Sequence, residues 1–414
     1  MAAGRAAECA AEGGVPVVLL EKTARLGNKL RITGKGRCNL TNRADVQDFI
    51  AHFGGNGRFL YGAFSRFFVD DLLAFFDHHG VETKVERGER VFPVSDDAER
   101  IVSALRDYLD QGNVRVQLRT SVSSLIVEDG SAVGVRAGST DIPASAVILA
   151  TGGASYPRTG STGDGYELAR AAGHTIVSIR PALVPLVVEE SYPWELEGLS
   201  LRNVKVRLLA DDQVLEERFG EMLFTGFGVS GPIILAASRT AVDALAAGKK
   251  VHLSIDLKPA LSDEQLDARL IRDLNRQGRR AYHNIVKGLL PSKMIRLFVR
   301  LSRVPGDKPA HQINSDERGR LRKLLRDFRL TVTASRPISD AIITAGGVDT
   351  DEIDPRTMES KIVKGLYFCG ELIDVDADTG GYNLQAAFST GHLAGEAAAR
   401  ALAAENRDSR VDHA

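Results

Sequence analysis

The sequence predicts an α/β fold in which a parallel-sheet domain is interrupted by a β-rich insert and a helical insert. Three observations predict it. "VPVVLLEK", Val15 to Lys22, is a continuous apolar run that ends in an acid, the pattern of a parallel strand buried on both faces. Ala146 to Leu149 and Leu366 to Cys369 are two further short apolar runs, and each leads into glycine, at Gly152-Gly153 and at Gly370. Between them the pattern changes twice. Alternating runs such as "VKVRLLADDQVLEE" occupy 185–261, and a basic helical pattern occupies 262–328.

Composition bounds the function classes. The chain has 414 residues, 43% hydrophobic and 26% charged, with a formal net charge of −1. That length suits two or three domains of ordinary composition. No apolar run reaches the roughly 18 residues of a membrane span, and the N-terminus lacks a basic-then-apolar leader. Cys9, Cys38 and Cys369 show no CxxC or zinc spacing, so a reducing, cytoplasmic compartment is the default expectation. Glycine, 40 of 414 residues, exceeds the roughly 7% norm. Close approach of backbone to a ligand gives such an excess, and so do loops.

In chain order, "MAAGRAAECAAEGG" is Ala-rich and helical, with Gly13-Gly14 as its stop. The strand follows and ends at Glu21. Helix, glycine turn, buried strand and terminal acid make the second half of a βαβ dinucleotide unit, where the acid binds ribose hydroxyls. A surface acid after a core strand is the alternative for Glu21. The glycine-rich loop of such a unit belongs just before Met1, so an N-terminally truncated chain is expected. Next comes "LGNKLRITGKGRCNLTN", a basic loop studded with Gly27, Gly34 and Gly36. "TSVSSLIVEDGSAVGVRAGSTDIPASAVILA" reads as a β-meander with a turn at Asp129-Gly130. The third strand ends in Ala150, Thr151 and Gly152, small enough for a cofactor to lie against the backbone. Near the C-terminus Gly380-Gly381-Tyr382-Asn383 opens a long Ala-rich helix, whose first amides favour negative charge. The tail 406–414 is expected to be disordered. None of the nine histidines has metal spacing, and no Ser-His-Asp or paired-carboxylate arrangement emerges. His78-His79 ends an amphipathic helix, and His392 reads as structural.

Taken together, the acid-terminated strand, the ATGG strand end and "GLYFCGE…GGYNLQ" resemble FAD oxidoreductases with two dinucleotide folds. "LGNKLRITGKGRCNLTN", "ERVFPVSDDA", "LFTGFGVSGP", "RLTVT" and "ITAGGV" further resemble the bacterial aminoacetone-oxidase-like flavoprotein family. Its members are labelled NAD(P)/FAD-dependent oxidoreductases, and a bile-acid ring reductase is among them. Gly226 stands where that family often has histidine. The resemblance implies an FAD-binding domain over 1–184 and 338–405, a β-rich insert over 185–261 to which 329–337 returns, and a helical insert over 262–328.

The resemblance also implies cofactor contacts. Glu21 and Lys22 would meet ribose, and Val122 adenine. Gly27, Lys29, Gly34, Gly36, Arg37, Cys38 and Asn39 would line the pyrophosphate and flavin, with basic groups offsetting phosphate charge. Ala150, Thr151 and Gly152 would back the cofactor. Gly370 and Glu371 would bind ribitol, and Gly380, Gly381, Tyr382, Asn383 and Leu384 would face the flavin's pyrimidine edge. A solvated basic loop and an ordinary glycine turn are the competing readings. Cys38, with no second cysteine near it in sequence, is expected to be a packed or flavin-adjacent thiol.

FAD with NAD(P)H as donor or oxygen as acceptor, acting on a small organic substrate, is the expected function. No catalytic residue or metal ligand is assigned. Residues 269–329 hold 17 Lys or Arg against 5 Asp or Glu, so a nucleic-acid substrate is the alternative. A solvated face explains the same charge, and no aromatic interleaving supports single-strand binding. A fragment that cannot hold its cofactor is the remaining alternative.

Overall fold

The structure, a computed structural model, describes residues 1–11 and 14–411, with side chains described through residue 404. It forms two compact units, Met1–Arg180 with Ile342–Ala414, and Pro181–Ala341.

In the first unit, helix Ala2–Ala10 precedes strand Val18–Glu21, which pairs in parallel with Arg115–Leu118. Gly13, half of the expected stop signal, lies outside the described residues. The run expected to be buried on both faces is only half-buried, and Val18 is 38% exposed. Arg115–Leu118 is its one strand partner among the described residues, so pairing covers a single edge. Strands Val147–Leu149 and Leu366–Phe368 pair in parallel, with Leu366 opposite Val147 and Phe368 opposite Leu149. The two glycine-terminated strands are thus neighbours and end on the same side. The meander comprises Val122–Glu128, Ser131–Ala137 and Thr140–Pro143. The last helix runs Tyr382–Val411. Residues 406–411 are therefore helical, against the expected disordered tail, because the Ala-rich pattern carries the helix onward. Residues 412–414 lie outside the described residues.

The second unit is built on a closed barrel. Its strands follow the order Leu186–Val188, Gly228–Ser230, Gln213–Thr225, Ser200–Ala210, Val251–Asp256 and Phe328–Ser335. The last strand follows the helical stretch and closes the barrel by pairing with both Val251–Asp256 and Leu186–Val188. Helix Asp263–Gln277, opened by a Ser262 capping box, buries Leu266, Leu270 and Leu274 one turn apart. These pack in the same apolar cluster as Leu253, Phe224 and Phe328 of the barrel. The β-rich and helical stretches, expected to be separate inserts, share one core, because neither the helices nor the barrel buries its apolar face alone. No helix among the described residues is long and apolar enough to cross a membrane.

Candidate functional site

The site belongs to the first unit and draws on segments far apart in sequence. Its centre is Glu371, in the turn after strand Leu366–Phe368. Lys29 Nζ lies 2.5 Å from Glu371 Oε2 and 2.7 Å from Ser155 Oγ. The Thr344 amide donates to Glu371 Oε1 at 2.7 Å, and the Ala154 amide donates to Thr344 Oγ1 at 2.8 Å. Ser155 and Thr344 are buried. Gly153 makes this convergence possible, since a Cβ there would sit 2.4 Å from Thr344 Oγ1 and 2.8 Å from Glu371 Oε1. The basic loop, the ATGG strand end, "ITAGG" and "CGE" therefore meet at one carboxylate.

A second junction joins the loop to the mouth of the last helix. Thr41 Oγ1 donates to Gln385 Oε1 at 2.7 Å, and Asn42 Nδ2 donates to the Gly380 carbonyl at 3.1 Å. Gly381 has φ +102°, and a Cβ there would lie 2.3 Å from the Thr41 carbonyl oxygen. Only glycine fits this position. Tyr382 is buried, edge-on to Phe49 at 4.7 Å and stacked with His52 at 4.0 Å. Asn383 folds its side chain back onto the preceding loop, accepting from the Ala377 amide and donating to the Ala377 carbonyl, each at 2.9 Å. What this helix end offers outward is its first-turn amides, which have no intrahelical acceptor. Leu384 packs beside the Cys38 cluster.

At the end of strand Val18–Glu21, Glu21 Oε1 accepts from the Thr23 amide at 2.7 Å. Thr120 donates its amide to the Glu21 carbonyl at 2.9 Å, which brings the start of the meander at Val122 beside the acid. Lys22 pairs with Asp164 at 2.6 Å and donates to Thr162. Burial pushes the Asp164 carboxyl up, but Lys22 and Thr162 outweigh it and hold the group below the usual range.

Three of the loop's four cations are already matched. Arg31 pairs with Glu99, and Lys29 with Glu371. Arg37 pairs with Glu86 and with Asp96 at 2.6 Å, lying 4.1 Å over the Phe92 ring. The loop was expected to offset phosphate charge. The fold instead brings acids from the Thr83–Glu86 strand, the segment after strand Arg90–Pro93 and helix Ala98–Gln111 against it, leaving Lys35 exposed and without a described partner. Gly27 begins the short helix Asn28–Ile32, against Val102. Cys38 is fully buried among Leu40, Phe67 and Phe76, and burial pushes its thiol up to about 12. Its side chain is packed inside the protein, and burial disfavours the thiolate.

The loop's backbone is unusual. Gly34, Lys35, Gly36 and Cys38 all have φ between +58° and +86°. Left-handed non-glycine residues cost of order 1 kcal/mol or more each. Beside them Asn39 Oδ1 is buried with no hydrogen-bond partner. An orphaned acceptor, a carboxylate with one oxygen engaged at a strand end and an open helix N-terminus are the groups a dinucleotide with an attached ring would satisfy. The residues present therefore fit FAD.

Ala150, Thr151 and Gly152 follow strand Val147–Leu149, and the Thr151 hydroxyl packs tightly against Gly165. The sequence reading missed Ser155, Thr344, Thr41, Asn42, Gln385, Thr162 and Asp164. Its available signals were the serine just after ATGG and the "STGDG" turn that opens helix Asp164–Ala171.

The family model described as HI0933-like protein Rossmann domain matches residues 1–397. The 3-dehydro-bile acid delta(4,6)-reductase of Clostridium scindens is 35% identical over 388 residues, 94% of each chain. The ribosomal RNA dihydrouridine synthase of Escherichia coli is 30% identical over 381 residues, covering 92% of this chain and 91% of that one. In fold the chain is similar to 3-ketosteroid delta1-dehydrogenase of Sterolibacterium denitrificans, at a TM-score of 0.50 and 12% identity, covering 97% and 98%. The aminoacetone-oxidase-like likeness thus resolves to a broader group whose relatives act on other substrates. The chain belongs to the HI0933-like family of Rossmann-fold oxidoreductases.

Proposed function

We propose that this chain is an FAD-dependent reductase acting on a carbon–carbon double bond within a ring. The single observation that carries the reading is the convergence of Lys29, Ser155, Thr344 and Glu371 from four distant segments. Bound FAD would supply hydride transfer. Glu21 accepts from the ribose hydroxyls through its second carboxylate oxygen. Glu371, oriented by Lys29 and the Thr344 amide, accepts from the ribitol chain. The first-turn amides of Tyr382, Asn383 and Leu384 direct fixed dipoles at the ring edge that gains charge on reduction. Asn39 Oδ1 accepts from a ring or side-chain donor. The substrate is a small organic ring, by analogy with the bile-acid reductase, and NAD(P)H is the donor we assign, in the cytoplasm. A second reading takes the ring to be a uracil in RNA. It is favoured by the dihydrouridine synthase relative and by the 17 cations against 5 acids over 269–329.

The purified protein's released flavin, identified by chromatography, tests the reading. FAD is expected, and FMN alone or no flavin sinks it. Anaerobic bleaching by NADPH or NADH, then reoxidation by an unsaturated 3-ketosteroid or by uridine-containing RNA, separates the two substrates.

A further inference from the structure

The second unit carries, in its β-rich stretch, an aromatic that the sequence pattern gave no reason to place there. Trp194, the chain's single tryptophan, is 63% exposed, the most exposed of the large hydrophobic residues. It sits in a short 3-10 turn, Tyr192–Leu196, whose Leu196 is fully buried while the indole stays out. Helix Ser292–Ser302 holds this turn in place. Arg300 pairs with Glu195 at 2.7 Å, and Lys293 Nζ donates to the Glu197 carbonyl at 2.7 Å.

That helix buries Met294, Leu297, Phe298 and Ser302. At 100° per residue, Lys293, Arg296 and Arg300 then share the opposite face, and Arg303 follows as the left-handed residue that ends the helix. Arg296 and Arg303 are exposed and have no acidic partner among the described residues. Lys293 meets a carbonyl and no carboxylate. Two acids border the face, Glu195, matched by Arg300, and Glu197, so positive charge remains in excess. Elsewhere in the helical stretch cations are used internally, Arg318 with Asp267 at 2.9 Å and Arg326 with Asp256 at 2.7 Å.

We propose that Trp194 and the basic Lys293–Arg303 segment form a docking surface for single-stranded RNA. The cations follow the phosphates, and the indole stacks on an unpaired base. Stacking plus a cationic track is the general solution for single strands, and loops and splayed bases are the parts of RNA open to it. A solvated charged face has no need of an exposed indole, and exposing one that large costs apolar burial unless something covers it. The choice of RNA as occupant rests on the second reading above, while the docking itself is independent of the redox chemistry.

The test uses the full chain and a fluorescein-labelled, uridine-rich 15-mer RNA. Anisotropy gives affinity over a salt series, and the lone indole's emission reports stacking. Binding should quench Trp194. Arg296→Glu with Arg303→Glu should weaken binding at least tenfold and lower the salt slope by roughly 1.4, two single-strand contacts. Trp194→Ala should lose about 5- to 100-fold, the scale of one stacked base, and Trp194→Phe should restore much of it. These positions are exposed, so melting curves of the variants should match the parent. Absence of binding at low salt overturns the proposal. So does binding that none of the variants changes, or an emission shift that tracks protein concentration without RNA, which would mean the indole packs on a second copy. Binding as described with no dihydrouridine formed after flavin reduction leaves the docking surface standing and removes the second reading.

Discussion

In the unit Pro181–Ala341 one apolar cluster extends from Leu186 to Val332 and takes in both barrel and helices, and every barrel strand has two neighbours. In the other unit the sheets have two or three strands and the core is divided among separate clusters. Its segments are joined instead by polar contacts spanning hundreds of residues, such as Lys29 to Glu371 and Thr41 to Gln385. Left-handed backbone and an orphaned acceptor lie beside those contacts. The barrel unit is closed around itself. The dinucleotide unit keeps polar groups and strain at the place where a ligand would satisfy them, as functional sites do.

The sharpest way to break the comparison is at Gly381. Valine there collides with the Thr41 carbonyl at 2.3 Å and must adopt φ +102°. We expect a loss above about 4 kcal/mol, at the extreme of point substitutions, together with loss of the flavin absorbance. Unchanged melting would show that this junction does not hold.

In the barrel, Leu253→Ala should cost about 2–5 kcal/mol by leaving a cavity. Flavin bound per folded molecule should stay constant. If occupancy falls with stability, the two units are coupled and the contrast fails.

Acid should act through His392. This side chain stacks on Phe67 at 4.4 Å, and its buried Nδ1 has no hydrogen-bond partner, with the Glu396 carboxylate 4.0 Å away. Burial, helped by Arg5, lowers its pKa to about 4. The folded state thus favours neutral imidazole, whereas the unfolded chain protonates near 6.5. The resulting stability is present above pH 6.5 and is lost as pH falls toward 4, by at most about 3 kcal/mol. Chemical denaturation of His392→Gln at pH 7.5 and pH 5 should show a shallower loss than the parent. An equal slope would remove the assignment.

The smallest effect is on thiol chemistry. Cys38 and Cys369 are buried, and burial raises both thiols to about 12. Iodoacetamide at pH 8 should label Cys9 first, with the other two modified only on unfolding. Rapid native labelling of Cys38, read by mass spectrometry, would place it at a ligand surface after all.

Much of this architecture was legible because it depends on local pattern. The strand ends at Leu149 and Phe368, the meander and the opening of the last helix follow from apolar runs, glycines and turn residues within a few positions. The closure of the barrel by Phe328–Ser335 and the matching of Arg37 by Glu86 and Asp96 are pairings at a distance. No window of sequence contains them. The sequence alone determined where glycines, strand-end acids and the opening of the last helix fall along the chain, since residue chemistry and spacing carry that information. Tertiary structure decided which cations stay free, why Gly153 and Gly381 must be glycine, and that the inserts share one core. Those outcomes depend on which distant backbone or carboxylate occupies the neighbouring few ångströms.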